Sequence, residues 1–332
     1  MTYKLLIYYT ICFFLILVIT KISYKLNLVD KPSKRSSHLK PTSYIGGIAI
    51  SIALVISIFI FNITDQKLNL ILSTAFLVSL VGFIDDKFSL SVGNKLSLIT
   101  IPIIYLIVFQ EFSLKHLGDY DLFKLNLGAF NVPFTLISIL FLTNSINYFD
   151  GLDGTLSFLI ICSLLILYLI TSDTNLHKFI LIFVSTICFF LIFNLNVFNL
   201  PKVFLGDSGS LQIGFIVSFL LIYIAINNLI HPIIIAWSIV ILVYEFLAIN
   251  LIRIMKNIKI FDPAKDHLHH IFFIKTKSLV LTNFLICLLN IFLFLIGYLS
   301  FLFINPITSL VFYILLFCIF LLCRYKYYKR EL

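Results

Sequence analysis

Apolar residues in this chain run in stretches too long and too thinly charged to be the buried stripes of water-soluble helices. A helix needs about 20 residues to cross roughly 30 Å of hydrocarbon. Such stretches fall near 5–24, 46–63, 70–84, 96–112, 130–143, 156–171, 178–195, 209–226, 231–252, 278–300 and 306–323. They predict an all-α polytopic membrane protein with about eleven transmembrane helices, since lipid tolerates only helices or closed barrels. With 61% apolar and 12% charged residues, the chain has nothing left for a separate soluble domain. Residues 1–332 therefore read as one multi-span domain.

Charge orients the spans. The formal excess of +9 would suggest nucleic acid on a soluble protein; here it reads as topology, with no nucleic-acid partner. With the N-terminus outside and the C-terminus cytoplasmic, only Lys4, Lys67, Lys115, Lys124 and Lys178 of the 24 Lys and Arg fall outside. The inverted arrangement breaks the positive-inside rule. The six cysteines lie in or beside apolar runs without metal-ligand spacing and read as packing residues. In the longest outside loop, the alternation from Tyr120 to Gly128 predicts a small hairpin.

Most of the chain's polar chemistry then falls on one side, in inward loops near 25–45, 85–95, 144–155, 196–208 and 253–277. Asp85 and Asp86 are adjacent carboxylates that stay charged together only beside a cation, which Mg2+, Lys95 or Lys87 could supply. Asn144, Asn147, Asp150 and Asp153 recur every three residues, a spacing that gathers them near one face of a helical turn. Two amides and two carboxylates there suit a hydrated divalent cation with a sugar or nucleotide. Gly206-Asp207-Ser208-Gly209-Ser210 opens the eighth span with the small residues and free amides of an anion nest. Asp207 is either the cap of that helix or a metal ligand. His267, His269 and His270, with Lys265, suit phosphate handling better than zinc, because no cysteine or HExxH pattern accompanies them. Arg35, His38 and Lys40 add phosphate-binding charge ahead of Gly46-Gly47. Glu245 is the one carboxylate deep in an expected span, with no partner evident from spacing. Together these residues suit phosphoryl transfer on a membrane surface, where charge neutralisation and alignment matter most.

The motifs carry a resemblance. Asp30-x-Pro32-x-x-Arg35-x-x-His38, Gly82-Phe83-Ile84-Asp85-Asp86, the 144–154 segment, Leu205-Gly206-Asp207-Ser208-Gly209-Ser210 and His267-Leu268-His269-His270 occur in one order over about 240 residues. In these the chain resembles the polyprenyl-phosphate N-acetylhexosamine-1-phosphate transferases, and within them the undecaprenyl-phosphate GlcNAc-1-phosphate or O-antigen initiating branch. The resemblance implies a bacterial inner-membrane enzyme that moves a HexNAc 1-phosphate from a UDP-sugar to undecaprenyl phosphate, releasing UMP. It implies Mg2+, with Mn2+ as a substitute, and leaves a homodimer open. By motif it implies Asp207 and Asp86 as metal carboxylates, and Asp85, Asp86, Asp150, Asp153, His267, His269 and His270 as the catalytic group. Substrate binding would fall to Arg35, His38, Lys40, Lys95, Asn144, Asn147 and Lys265. Ala264, Lys265 and Glu245 depart from the usual pattern and bear on the identity of the sugar. The alternative within the family is a phospho-MurNAc-pentapeptide transferase. A transporter would place its ionisable groups at mid-membrane, where only Glu245 qualifies, and a scaffold would have no use for Asp beside Gly and Asn on several loops.

Overall fold

The computed structural model describes residues 2–32, 40–61, 63–259 and 266–331. In chain order the elements are α1 (Thr2–Lys25), β1 (Val29–Asp30), β2 (Thr42–Ser43), α2 (Gly46–Phe61), α3 (Gln66–Phe88) and α4 (Val92–Ile104). There follow β3 (His116–Asp119), β4 (Lys124–Asn126), α5 (Asn131–Tyr148), α6 (Thr155–Ile170), α7 (Thr174–Asn194) and α8 (Gly206–Ile226). The last are α9 (Pro232–Ser238), α10 (Val240–Met255), α11 (Leu268–Thr276), α12 (Leu279–Phe303) and α13 (Pro306–Glu331). Every expected span is helical. Among the described residues eight helices are long and apolar enough to cross a membrane, or nine when α9 and α10 count as one bent span; α2 and α6 are apolar but shorter. The chain is a multi-pass membrane protein.

The helices group into two compact units. The first comprises Met1–Glu111 and Ser172–Tyr223. Within it α2 packs on α1, α3 and α7, and α3 packs on α4. Pro102 removes one donor from the ladder of α4, and the helix relaxes into a π-helical turn at Tyr105–Phe109. The short β1–β2 pair is antiparallel, and Ser43 bridges to Val203. Beyond that bridge Phe204 N–H donates to Ser43 O at 2.7 Å, and Gly46 and Gly47 donate to Phe204 and Leu205 carbonyls at 3.0 and 2.9 Å. The start of α2 is thereby tied to the segment that leads into α8.

The second unit comprises Phe112–Thr171 and Ile224–Leu332. There α12 is central, packing on α6, α9, α10, α11 and α13. The expected hairpin exists but starts earlier than the alternation predicts: β3 ends at Asp119, and Tyr120 is buried, 5.1 Å from the His231 ring, while Asp121 adopts φ +64°. The ninth expected span is broken. α9 and α10 meet at 76° around Ile239. The backbone groups freed there are recovered by Asn290 of α12, whose amide donates to Ser238 O at 3.1 Å and whose Oδ1 accepts Ile241 N–H at 3.3 Å. Ser145 Oγ donates to Leu242 O at 2.6 Å. Lipid offers no partners to such groups, so side chains from neighbouring helices must. The outer helix α13 exposes Val311, Ile314, Leu315, Ile319 and Leu322, a surface suited to hydrocarbon and to nothing polar.

Candidate active site

In the first unit the carboxylates predicted as a site come together. α3 runs past Asp85 and Asp86 to Phe88, and Ser89 closes it in a left-handed conformation. Ser91 then caps α4, accepting Asn94 N–H. The tight turn between them folds the first turn of α4 back on the end of α3. Lys95 Nζ consequently stands 2.6 Å from Asp85 Oδ2 and 2.6 Å from Asp207 Oδ2. Of the two lysines the sequence allowed beside the Asp pair, Lys95 is in contact with it, at Asp85. Asp85 is buried and also accepts Leu90 N–H at 2.8 Å.

Asp86 takes the role that the sequence left open for Asp207. Its Oδ1 accepts Asp207 N–H at 2.8 Å and its Oδ2 accepts Ser208 N–H at 3.2 Å, so α8 is capped from α3. Asp207 lies inside the first turn of α8 with its carboxylate turned to Lys95. The contact needs Gly82, one turn before Asp86: a Cβ there would lie 2.5 Å from the Asp207 carbonyl oxygen. Two carboxylates, Asp85 and Asp207, thus share one ammonium, with the Asp86 carboxylate beside them on the α8 amides. Hard oxygen donors with uncompensated negative charge fit Mg2+ chemically, although among the described residues no three His, Cys, Asp or Glu side chains already form a metal cage. Lys40 is exposed just before β2, whereas Arg35 and His38 lie outside the described residues.

In the second unit the 144–154 segment meets the histidines. The single helical face expected for its Asn and Asp residues holds only through Asn144 and Asn147. α5 ends at Tyr148, and residues 149–154 form turns, because Gly151 and Gly154, the latter at φ +76°, do not sustain the helix. Asn144 donates to Leu140 O at 2.7 Å. Asp153 is anchored through its carbonyl, which accepts the Asn283 amide at 3.1 Å, and Asn283 Oδ1 accepts Thr155 Oγ1 at 2.6 Å. Asn283, on α12, carried no signal in the sequence.

His269 and His270 open α11 and His267 precedes it. The His269 ring is wholly buried, stacked nearly parallel to His267 at 5.7 Å and set 4.3 Å from His270. Its Nε2 faces Gly151 so closely that a Cβ there would overlap it, and among the described residues neither ring nitrogen has a hydrogen-bond partner. Phe149 and Tyr148 flank His269 and His267 at ring distances of 5.6 and 5.1 Å. Lys265 lies outside the described residues. Glu245, whose partner the sequence did not reveal, is paired with Arg324 of α13, a residue that read only as topological charge.

Burial holds these imidazoles neutral, pushing His267 down to about 4 and His269 well below the ordinary range, with its histidine neighbours acting in the same direction. Their folded values lie below the unfolded value of about 6.5, so the unfolded chain binds more protons between the two. The stability they contribute is complete above about pH 6.5 and falls as pH drops toward 4. We expect the melting temperature of the solubilised chain to decline over that window, and to decline less in His269→Gln. Equal acid sensitivity of the two proteins would refute the buried neutral imidazole.

A polytopic helical protein with grouped carboxylates at one helix start and a histidine cluster at another belongs to a definable class. The chain is a member of the family described as Glycosyl transferase family 4, whose pattern it matches over residues 68–225. Its relatives include the undecaprenyl-phosphate alpha-N-acetylglucosaminyl 1-phosphate transferase of Yersinia pestis, 30% identical over 265 residues, covering 76% of this chain and 72% of that protein. The protein of the same description from Escherichia coli K12 is 30% identical over 261 residues, 76% of this chain and 70% of its own. The Salmonella typhi protein is 29% identical with the same coverage.

Proposed function

We propose that the chain transfers an N-acetylhexosamine 1-phosphate, GlcNAc-1-phosphate or a close relative, from a UDP-sugar to undecaprenyl phosphate, initiating O-antigen or another cell-envelope polysaccharide. The observation that carries this is the meeting of Asp85 and Asp207 on Lys95, with Asp86 on the first amides of α8 beside them, in a chain whose relatives bear that activity in their names. An oxygen of the lipid phosphate attacks the phosphorus attached to the sugar. The bond from that phosphorus to the UMP oxygen breaks, UMP leaves, and a polyprenyl diphosphate sugar remains. Asp85 and Asp86 orient the attacking phosphate or take its proton, and Lys95 steadies the carboxylates while remaining within reach of phosphate oxygens. Asp207 and Asp86 would hold Mg2+, which when bound neutralises the diphosphate charge. Asn144, Asn147, Asp150 and Asp153 bind the nucleotide sugar beside His267, His269 and His270, with Arg35, His38, Lys40 and Lys265 on the outer phosphate oxygens.

In this reading the whole chain is one transferase domain of eleven spans in a bacterial inner membrane. Its N-terminus is outside, its C-terminus is inside, and the site loops face the cytoplasm, where UDP-sugars are. Purified protein given undecaprenyl phosphate and, separately, UDP-GlcNAc, UDP-GalNAc or UDP-MurNAc-pentapeptide tests it. UMP release and a lipid-linked product with a HexNAc donor are expected. Product from the MurNAc donor alone would move the chain to the peptidoglycan branch, and no product from any donor would overturn the activity.

A further inference from the structure

Glu245 and Arg324 are both buried, 1% and 5% exposed, on α10 and α13. The guanidinium grips both carboxylate oxygens, Nε donating to Oε2 at 2.9 Å and Nη2 to Oε1 at 2.7 Å. Neither group stops there. Glu245 Oε1 also accepts the backbone N–H of Leu268 at 2.9 Å, and Arg324 Nη2 also donates to the carbonyl of Asp266 at 2.6 Å. Arg253 Nη2 donates to both carboxylate oxygens of Asp266 at 3.0 and 3.3 Å. Asp266, two residues before α11, is therefore held at its carbonyl and its carboxylate, and Leu268, the first residue of α11, at its amide, all from α10 and α13.

The amide matters because α11 is short and His267, at its N-cap position, supplies no side-chain cap. The first amides of a helix have no intrahelical partner. Here one of them is satisfied by a carboxylate from another helix, itself oriented by a planar fork. We propose that Arg324 is a positioning residue: acting through Glu245 and the Asp266 carbonyl, it fixes the start of α11 and hence the setting of His267, His269 and His270. This rests on the proposed transferase reading for its kinetic consequence, though not for its structural one. Lysine is a poor substitute, because one ammonium on a flexible stem cannot place two coplanar donors on Glu245 and a third on Asp266. A pair that merely fastened α13 to α10 would need only the opposite charges.

The test compares the full-length chain in detergent with Arg324→Gln, Arg324→Lys and Glu245→Gln/Arg324→Gln. Removing one partner strands a buried charge, while the double variant leaves none; it therefore carries the readouts if Arg324→Gln does not fold. Amide exchange over 266–271 is expected to quicken by about tenfold or more in Arg324→Gln and in the double variant, with exchange in α8 unchanged. Arg324→Lys should recover only part of that protection. Turnover should fall by a similar factor, with kcat falling more than KM for the UDP-sugar rises. Wild-type exchange and turnover in the glutamine variants, or full recovery by lysine, would overturn the proposal. If the unaltered chain turned over no UDP-sugar, the transferase reading would fail, and the exchange data would still decide the clamp.

Discussion

Asp207→Asn is expected to cut turnover by about a hundredfold to a thousandfold, roughly 3–4 kcal/mol of transition-state stabilisation, while leaving the protein folded. The separation of the two effects comes from Asp86. A helix-cap role for Asp207 would make asparagine a mild change, since Asn caps as well as Asp. In the structure the first amides of α8 are held by Asp86, and residue 207 contributes its backbone N–H to that bond whichever side chain it carries. The substitution therefore spares the cap. What it removes is one of the two carboxylates on Lys95 and, in the proposed transferase reading, a negative charge that would face the transferred phosphate. Turnover measured across a Mg2+ titration, beside the melting temperature, decides the matter. Near-normal turnover at low Mg2+ would sink the ligand assignment, whereas a stable, almost inactive protein would leave Asp207 at the chemistry.

The membrane class was open to inspection because hydrocarbon imposes its requirement residue by residue: among the described residues the apolar runs are helical, eight of the helices, or nine with the bent pair, being long enough to cross a membrane, and each motif can be recognised where it stands. Pairings between helices are another matter. Asp86 and Asp207 are 121 residues apart, and nothing in either motif says which carboxylate caps α8 and which meets Lys95. That choice follows from how closely α3 approaches α8. Arg324 looks like any basic residue ending a last span until α13 is laid on α10, where it meets Glu245. The same limit explains the 144–153 pattern. A spacing of three implies one face only while the helix continues, and the turns after Tyr148 divert Asp150 and Asp153 from the line of Asn144 and Asn147. The break at Ile239 is equally silent in its own sequence, because the group that makes it tolerable is Asn290 on another helix.

Two Gly→Ala changes eleven positions apart should act in opposite directions, and the contrast probes the close approach on which the carboxylate site depends. At Gly82 an added methyl would lie 2.5 Å from the carbonyl of Asp207 and from the Cα of Ser208, backbone atoms that no rotamer change can move aside. α3 and α8 must separate, and overpacking of this kind costs about 1–3 kcal/mol. Asp86 lies four residues on, on the same face of α3, so the separation also stretches its two bonds to the amides of α8 and moves Asp207 relative to Lys95. Turnover is expected to fall by about tenfold or more, beyond what the lost stability explains, because an ångström of misalignment is enough to spoil in-line transfer. At Gly93, in the first turn of α4, nothing lies within 4 Å of the new methyl. There the better helix propensity of alanine should raise stability by about 0.5–1 kcal/mol and leave turnover within about twofold. Melting and turnover of the two variants, measured side by side, form the test. A Gly82→Ala protein that melts and turns over like Gly93→Ala would mean that α3 and α8 do not meet as closely as the Asp86 cap requires.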